Sequence, residues 1–262
     1  MKLCFSTLGC PGRGMDEIIS LARKFNINAV ELRGVGDELL PSATYDFAPE
    51  NIKKTKEKFF QNGIKIISLD LSFSCHIVGK NNDEINALIP ELNIAAAMDI
   101  PYIRVFGNNI IGDRGKAIQN VIYALKGACH LAAERGITVL FEIHGDFNCC
   151  DNIKPIINAM QGENNFGIIW DIAHSDRVYG DDFEPFYECI KPYIRHIHIK
   201  DHIRTPFTLT AIGKGEIPIK KIIRRLINDR FDGYFSLEWE KRWTPHLSEI
   251  EVALKDFIDI MK

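Results

Sequence analysis

The alternation of strand-like and helix-like segments in this chain predicts a closed (β/α)8 barrel, an α/β fold built as one domain over residues 1–262. Three observations predict it. Eight short runs rich in β-branched residues recur along the chain, nearly all separated by a stretch with helical spacing. Such alternation gives a parallel sheet, and eight units in 262 residues match the size of a closed barrel. Four of the runs finish in carboxylate or imidazole groups, as the functional rim of such a barrel would require. A doubly wound open sheet fits less well, because no GxGxxG follows the first run and about six strands would be usual.

The elements follow in order. Residues 2–6 read as the first strand, and the Gly/Pro-rich loop from Gly9 to Gly14 leads into a helix over 15–25. A second strand covers 29–33, and a helix over 48–62 opens near Pro49 and stops at Gly63. The third strand is 65–71, followed by one long helix over 82–98. The fourth strand is 102–106, and the helix over 112–135 is ended by Gly136. Strand five covers 138–143, a short helix 153–160, and strand six 167–170. A helix over 183–190 precedes strand seven at 195–199. A helix over 219–229, strand eight at 234–238 and a final helix over 247–261 complete the series. No linker, low-complexity tract or composition break divides it.

The bulk composition excludes several classes of function. The chain is 46% hydrophobic and 26% charged, ordinary for a globular protein. A formal net charge of -3 and a pI near 6.3 disfavour nucleic acid and anionic membranes as partners, since both call for concentrated Lys and Arg. Seven cysteines, without a CxxC pair, suit reduced thiols in a cytoplasmic setting. The apolar run at the N-terminus is too short for a signal peptide, and none approaches a membrane-spanning length.

The polar strand ends carry the chemistry. Glu142, Asp171, His198 and Glu238 end strands five to eight, which are neighbours around a barrel. Three carboxylates and an imidazole gathered at one point repel one another unless a cation joins them. That donor set suits one divalent cation, Mn²⁺, Zn²⁺, Co²⁺ or Mg²⁺, with positions left for substrate oxygens. No cysteine belongs to the set, which argues against a closed structural zinc site. Glu31 and Arg33 end strand two and Arg104 lies in strand four, where an internal ion pair is the plainer expectation. Trp170, Trp239 and Phe106 are candidates for an apolar wall against a sugar, although core packing is commoner. Gly213-Lys-Gly-Glu-Ile-Pro218 invites a phosphate-cradle reading, but no hydroxyl-bearing helix start follows it, so it reads as a connecting loop.

Several motifs in order, Phe141-Glu-Ile-His-Gly-Asp146, Trp170-Asp-Ile-Ala-His174, Ile197-His-Ile-Lys-Asp201, Gly213-Lys-Gly-Glu-Ile-Pro218 and Ser236-Leu-Glu-Trp-Glu240, resemble the xylose isomerase-like TIM barrels. The resemblance is specifically to the sugar phosphate isomerase/epimerase group, with its ketose 3-epimerases and inosose dehydratases. It spans essentially the whole chain. It implies a metal on Glu142, Asp171, His198 and Glu238, with His196 packed below His198. It further implies proton transfer at the carbon next to a carbonyl of a small sugar or hydroxy-ketone, through a metal-stabilised enediolate. Glu142 and Glu238 would be the catalytic base and acid. His144, His174, Arg33 and Lys200 would meet the substrate, a small carbohydrate, and relatives often form homo-oligomers. For Arg33 and Arg104 the resemblance also implies an alternative to the internal ion pair, an arginine meeting an acidic or phosphate group. Two other reactions share the scaffold. A lyase or dehydratase of a related polyol begins with the same proton removal. An apurinic endonuclease needs more histidines on early strands than Arg104-Val-Phe-Gly107 and Phe5-Ser-Thr7 provide.

Overall fold

The computed structural model describes residues 1–78 and 82–262. Its strands are β1 (Lys2–Ser6), β2 (Ala29–Leu32), β3 (Lys65–Ser74), β4 (Tyr102–Phe106), β5 (Thr138–Glu142), β6 (Phe166–Asp171), β7 (Ile194–Ile199), β8 (Asp201–Ile203), β9 (Thr208–Thr210) and β10 (Tyr234–Leu237). Eight of them close into a barrel in the order β1-β10-β7-β6-β5-β4-β3-β2, every pairing parallel. The predicted (β/α)8 barrel is therefore the fold. The helices are α1 (Met15–Lys24), α2 (Ile52–Gln61), α3 (Asn82–Asn86), α4 (Ile89–Ala97), α5 (Arg114–Ala133), α6 (Cys150–Ala159), α7 (Ile172–Tyr179), α8 (Glu184–Ile190), α9 (Ile219–Asn228) and α10 (Ile250–Ile260).

The helices dock through apolar stripes. In α9, Ile219, Ile222, Ile223 and Leu226 recur at helical spacing and are buried, while Lys220, Lys221, Arg224 and Arg225 occupy the other face. Each such buried side chain contributes ~1.5–3 kcal/mol. One large apolar cluster fills the space between helices and barrel, with Trp170, Phe5, Phe141 and Phe235 wholly buried in it.

Three local departures from the sequence reading have clear causes. The long helix expected over 82–98 is two helices, α3 and α4. Pro90 has no N–H to give and its ring crowds the preceding turn, so the chain breaks at Ala87 and Leu88. Helix α7 was not expected; Asp171 nucleates it by accepting from the N–H groups of Ala173 (2.9 Å) and His174 (3.3 Å). The antiparallel ribbon of β8 and β9, only three residues a side, was not expected.

The barrel interior differs from the usual stack of branched apolar layers. A small separate cluster of Cys4, Ala29 and Ile67 fills one layer. One step further along the strands lie Glu31, Ser68, Asp70, His196 and Ser236, all buried and all polar. The parallel register places Ser236 and Asp171 beside His198 on either flank of β7.

Candidate metal centre

Each predicted metal-competent side chain stands at the C-terminal end of its strand. Glu142 closes β5, Asp171 closes β6, His198 is the penultimate residue of β7, and Glu238 follows β10, its N–H donating to the Ile199 carbonyl at 3.1 Å. All four are buried, and one donor atom from each lies within 4.8 Å of the others. His198 Nδ1 is 2.9 Å from Glu142 Oε1 and 3.4 Å from Glu238 Oε2. Its Nε2 is 3.2 Å from Glu31 Oε2.

Three cations neutralise the carboxylates. The Lys200 ammonium is 2.8 Å from Asp171 Oδ2, 2.5 Å from Glu238 Oε2 and 2.5 Å from Glu240 Oε1. Its bond to Glu240 is well aligned, whereas those to Asp171 and Glu238 are ion pairs outside hydrogen-bond alignment. Arg104 lies 3.2 Å from Glu142 and 4.0 Å from Glu238, and its Nη1 donates to the Leu71 carbonyl. Burial alone would raise Glu142, but Arg104 and the His198 bond bring it down to about 2. Burial dominates at Asp171, which rises to about 6 despite Lys200. His198 is pushed well up, because the surrounding carboxylates outweigh the burial that would lower it.

The donor set fits a divalent cation. Two donors held ~2.1 Å from one ion lie at most about 4.2 Å apart. Donors within 4.8 Å therefore need to draw in by only tenths of an ångström. Oxygens of Asp171 and Glu238 that find no aligned hydrogen bond point into the cluster. Glu31, His196 and His198 form a second group with the same donor spacing. In that group, however, both Glu31 oxygens are engaged: Oε1 accepts from Ser236 at 2.7 Å, and Oε2 faces His196 Nε2 at 2.7 Å and His198. A carboxylate behind a ligating imidazole fixes which ring nitrogen faces the ion, here Nδ1.

The remaining candidates divide. Arg33, His144 and Lys200 line a cavity of about 220 Å³ together with Glu142 and Glu238. The His144 ring packs on His174, centroids 4.1 Å apart, and its buried Nδ1 has no partner among the described residues. His174 does not line the cavity. Its Nδ1 accepts from the Gly145 N–H at 3.4 Å, so its Nε2 carries the proton, 3.7 Å from Asp171 Oδ2. Burial and the neighbouring His144 hold it neutral, well below the usual imidazole range. Phe106 lines the cavity, whereas Trp170 and Trp239 are core residues bonded to Ser175 Oγ and the Ser248 carbonyl.

Four residues have roles that the sequence reading did not assign to them. Glu31 pairs with the two histidines and not with Arg33, and only the closed barrel brings residues 31 and 196 together. Glu240 completes the Lys200 shell, and Trp243 walls the cavity. Asp201 organises the rim. Its carboxylate accepts N–H bonds from His202, Gly213 and Gly215 at 2.9 Å each and from Ile217 at 3.3 Å. The glycine-rich segment is thus an anion cradle after all, filled by the chain's own Asp201. At Gly215 a Cβ would overlap that carboxylate.

A closed barrel with a metal-competent cluster at its C-terminal rim defines the class. The chain belongs to the xylose isomerase-like TIM barrel family, whose profile it matches over residues 19–259. Among solved structures it is similar to the IolI protein with a bound zinc atom, at 18% identity and TM-score 0.82, covering 100% of this chain and 98% of that one. D-psicose 3-epimerase with D-tagatose, from Clostridium cellulolyticum H10, is 14% identical with TM-score 0.78, covering 100% and 98%. The probable 3-DHS dehydratase AsbF from Bacillus anthracis is 14% identical with TM-score 0.77, covering 98% and 99%. At these identities the likeness establishes the fold. A search of the curated proteins found no match. Among the described residues no helix is long and apolar enough to cross a membrane.

Proposed function

We propose that this chain is a divalent-metal-dependent isomerase or epimerase that moves a proton at the carbon next to the carbonyl of a small sugar or hydroxy-ketone. The observation that carries this is the convergence of Glu142, Asp171, His198 and Glu238 within 4.8 Å beside a cavity of about 220 Å³. Those four residues would hold the cation. Bound there, it would supply Lewis acidity to the carbonyl and adjacent hydroxyl oxygens and so acidify the neighbouring C–H. Glu142, kept ionised by Arg104, takes the proton. Glu238, reaching in from β10, delivers one, and the two exchange roles in the reverse direction. His144, which lines the cavity, meets a substrate hydroxyl. His174, held neutral and in one tautomer, supports the His144 ring and Asp171. The seven free thiols fit a reducing compartment such as the cytoplasm.

A dehydratase is the second reading, favoured by the similarity to a protein described as a probable dehydratase. It starts from the same proton removal and then expels a hydroxyl. Incubation of the Mn²⁺-loaded protein with ketoses in deuterated water separates the two. Deuterium at the carbon next to the carbonyl supports the isomerase or epimerase. Loss of water from a polyol ketone without exchange back into substrate supports the dehydratase. Neither, over a broad panel, removes both readings.

A further inference from the structure

The cavity is lined by one lysine and two arginines, and two of these three cations are already matched. Lys200 has three carboxylates and Arg104 has two. Arg33 has none: among the described residues no carboxylate lies within ion-pair reach of its guanidinium. The residue is nevertheless only 7% exposed. Its Nη1 donates to Ser72 Oγ at 2.9 Å, and the plane lies 5.9 Å from the Trp243 ring. The other donors of the fork are neither hydrogen-bonded nor sealed away, and they border the cavity. A buried cation without an anion is costly unless a ligand supplies one.

The surroundings hold that fork in place. The backbone N–H of Arg33 donates to Thr7 Oγ1 at 2.8 Å, and Thr7 donates in turn to the Gly34 carbonyl at 2.6 Å. Arg242 clasps the two rim loops together by donating to the carbonyls of Gly36 and Asp37, which seats Trp243 over Arg33. Burial, with Arg104 nearby, lowers the Arg33 pKa to about 10, which leaves it charged at neutral pH.

We infer that Arg33 is the receptor for an anionic group, a carboxylate or a phosphate ester, carried by the substrate. The planar fork matches the paired oxygens of either group. The same cavity touches Glu142 and Glu238, so one short molecule reaches both the proton-transfer residues and Arg33. The cavity of about 220 Å³ has room for a small sugar or hydroxy-ketone that carries such a group. The inference rests on the proton-transfer reading for the identity of the ligand as substrate, but its test needs no turnover.

The test is calorimetric titration of the Mn²⁺-loaded protein with three compounds that share a hydroxy-ketone core: dihydroxyacetone, hydroxypyruvate and dihydroxyacetone phosphate. A charge-assisted pair is worth about 2 kcal/mol, so one of the two anions is expected to bind about 30-fold more tightly than the neutral ketone. Arg33→Met should shrink that preference to about 3-fold or less, the ratio of anion to dihydroxyacetone affinity being the readout. Arg33→Lys, which keeps the charge without the fork, should recover part of it and stands in if the Met variant does not fold. Whichever anion gains identifies the group. Equal binding of all three by the wild type, or an anion preference that survives Arg33→Met, overturns the inference. Failure of deuterium exchange with tight anion binding would instead sink only the proton-transfer reading.

Discussion

Replacing Lys200 with Met tests whether the centre is a cluster of anions held together by a built-in cation. The ammonium sits 2.5 to 2.8 Å from carboxylate oxygens of Asp171, Glu238 and Glu240. At an effective dielectric of about 20, each such contact is worth roughly 6 kcal/mol before desolvation. Most of that gross attraction is offset by the cost of burying the charges. The net loss on removing one partner of a buried pair is about 3–5 kcal/mol. Methionine fills nearly the same volume, so little of the loss comes from packing. In EDTA, Lys200→Met is therefore expected to unfold about 3–5 kcal/mol more easily in urea, with an unchanged m-value. Mn²⁺ should restore more stability to the variant than it adds to the wild type, because the ammonium no longer repels it. Each tenfold gain in affinity adds ~1.4 kcal/mol to that increment. Circular dichroism melts in urea, with and without Mn²⁺, read both quantities. A loss below about 1 kcal/mol in EDTA, or an equal metal increment in both proteins, would show that the carboxylates are not held together by Lys200.

Three further outcomes follow from the geometry. Glu31→Gln keeps the shape but presents an amide to His198 Nε2 and His196 Nε2, so metal affinity should fall about 10–100-fold in a competition titration with a chelator. Unchanged affinity would reduce Glu31 to a packing role. Asp201→Ala strips an acceptor from four N–H groups and should cost about 3 kcal/mol, with faster amide exchange at Gly213 and Gly215; native protection at those amides would refute the cradle. Asp176 lies in another cluster, 3.0 Å from His202 Nε2 and bound by Arg204. Burial would raise its carboxyl, but the His202 and Arg204 bonds outweigh it and hold it below the usual range. Its stabilisation is therefore present above the unfolded value of 3.8 and is lost as pH falls through the lower folded value. The stability gap between wild type and Asp176→Asn should close as pH drops from about 6 to about 2, and a constant gap would contradict the pairing.

The fold and one layer of the candidate site were legible in the sequence because both depend on short-range patterns. Ile194, Ile197 and Ile199 mark a strand by composition, and His198 marks its polar end without reference to any other strand. Barrel topology then does the rest, since parallel strands all present their C-terminal ends at one rim. Glu142, Asp171 and Glu238 follow by the same rule. The helix boundaries failed where a single residue overrode the pattern, as Pro90 does between α3 and α4 and as Asp171 does in starting α7.

The second layer was not legible, and the reason is geometric. Glu31 sits in a run, Ala29-Val-Glu-Leu32, whose four residues are all buried, so no alternation marks which face the carboxylate takes. Its partners His196 and Ser236 lie 165 and 205 residues away. Which residues share a level inside a closed barrel depends on the stagger of the strands around it, and that stagger is set by the whole sheet. The bulge between Val30 and Glu31 shifts the level by one residue at this point. Glu31 thereby bonds Ser236 and both histidines, and a buried carboxylate satisfied on both oxygens is much costlier to move than a solvated one. The His198 ring is consequently fixed from below before any ion arrives, while Lys200 and Arg104 restrain the carboxylates from the sides. The rim residues are the candidate ligands, and this hidden layer supplies the rigidity that lets four side chains from four strands converge on one point.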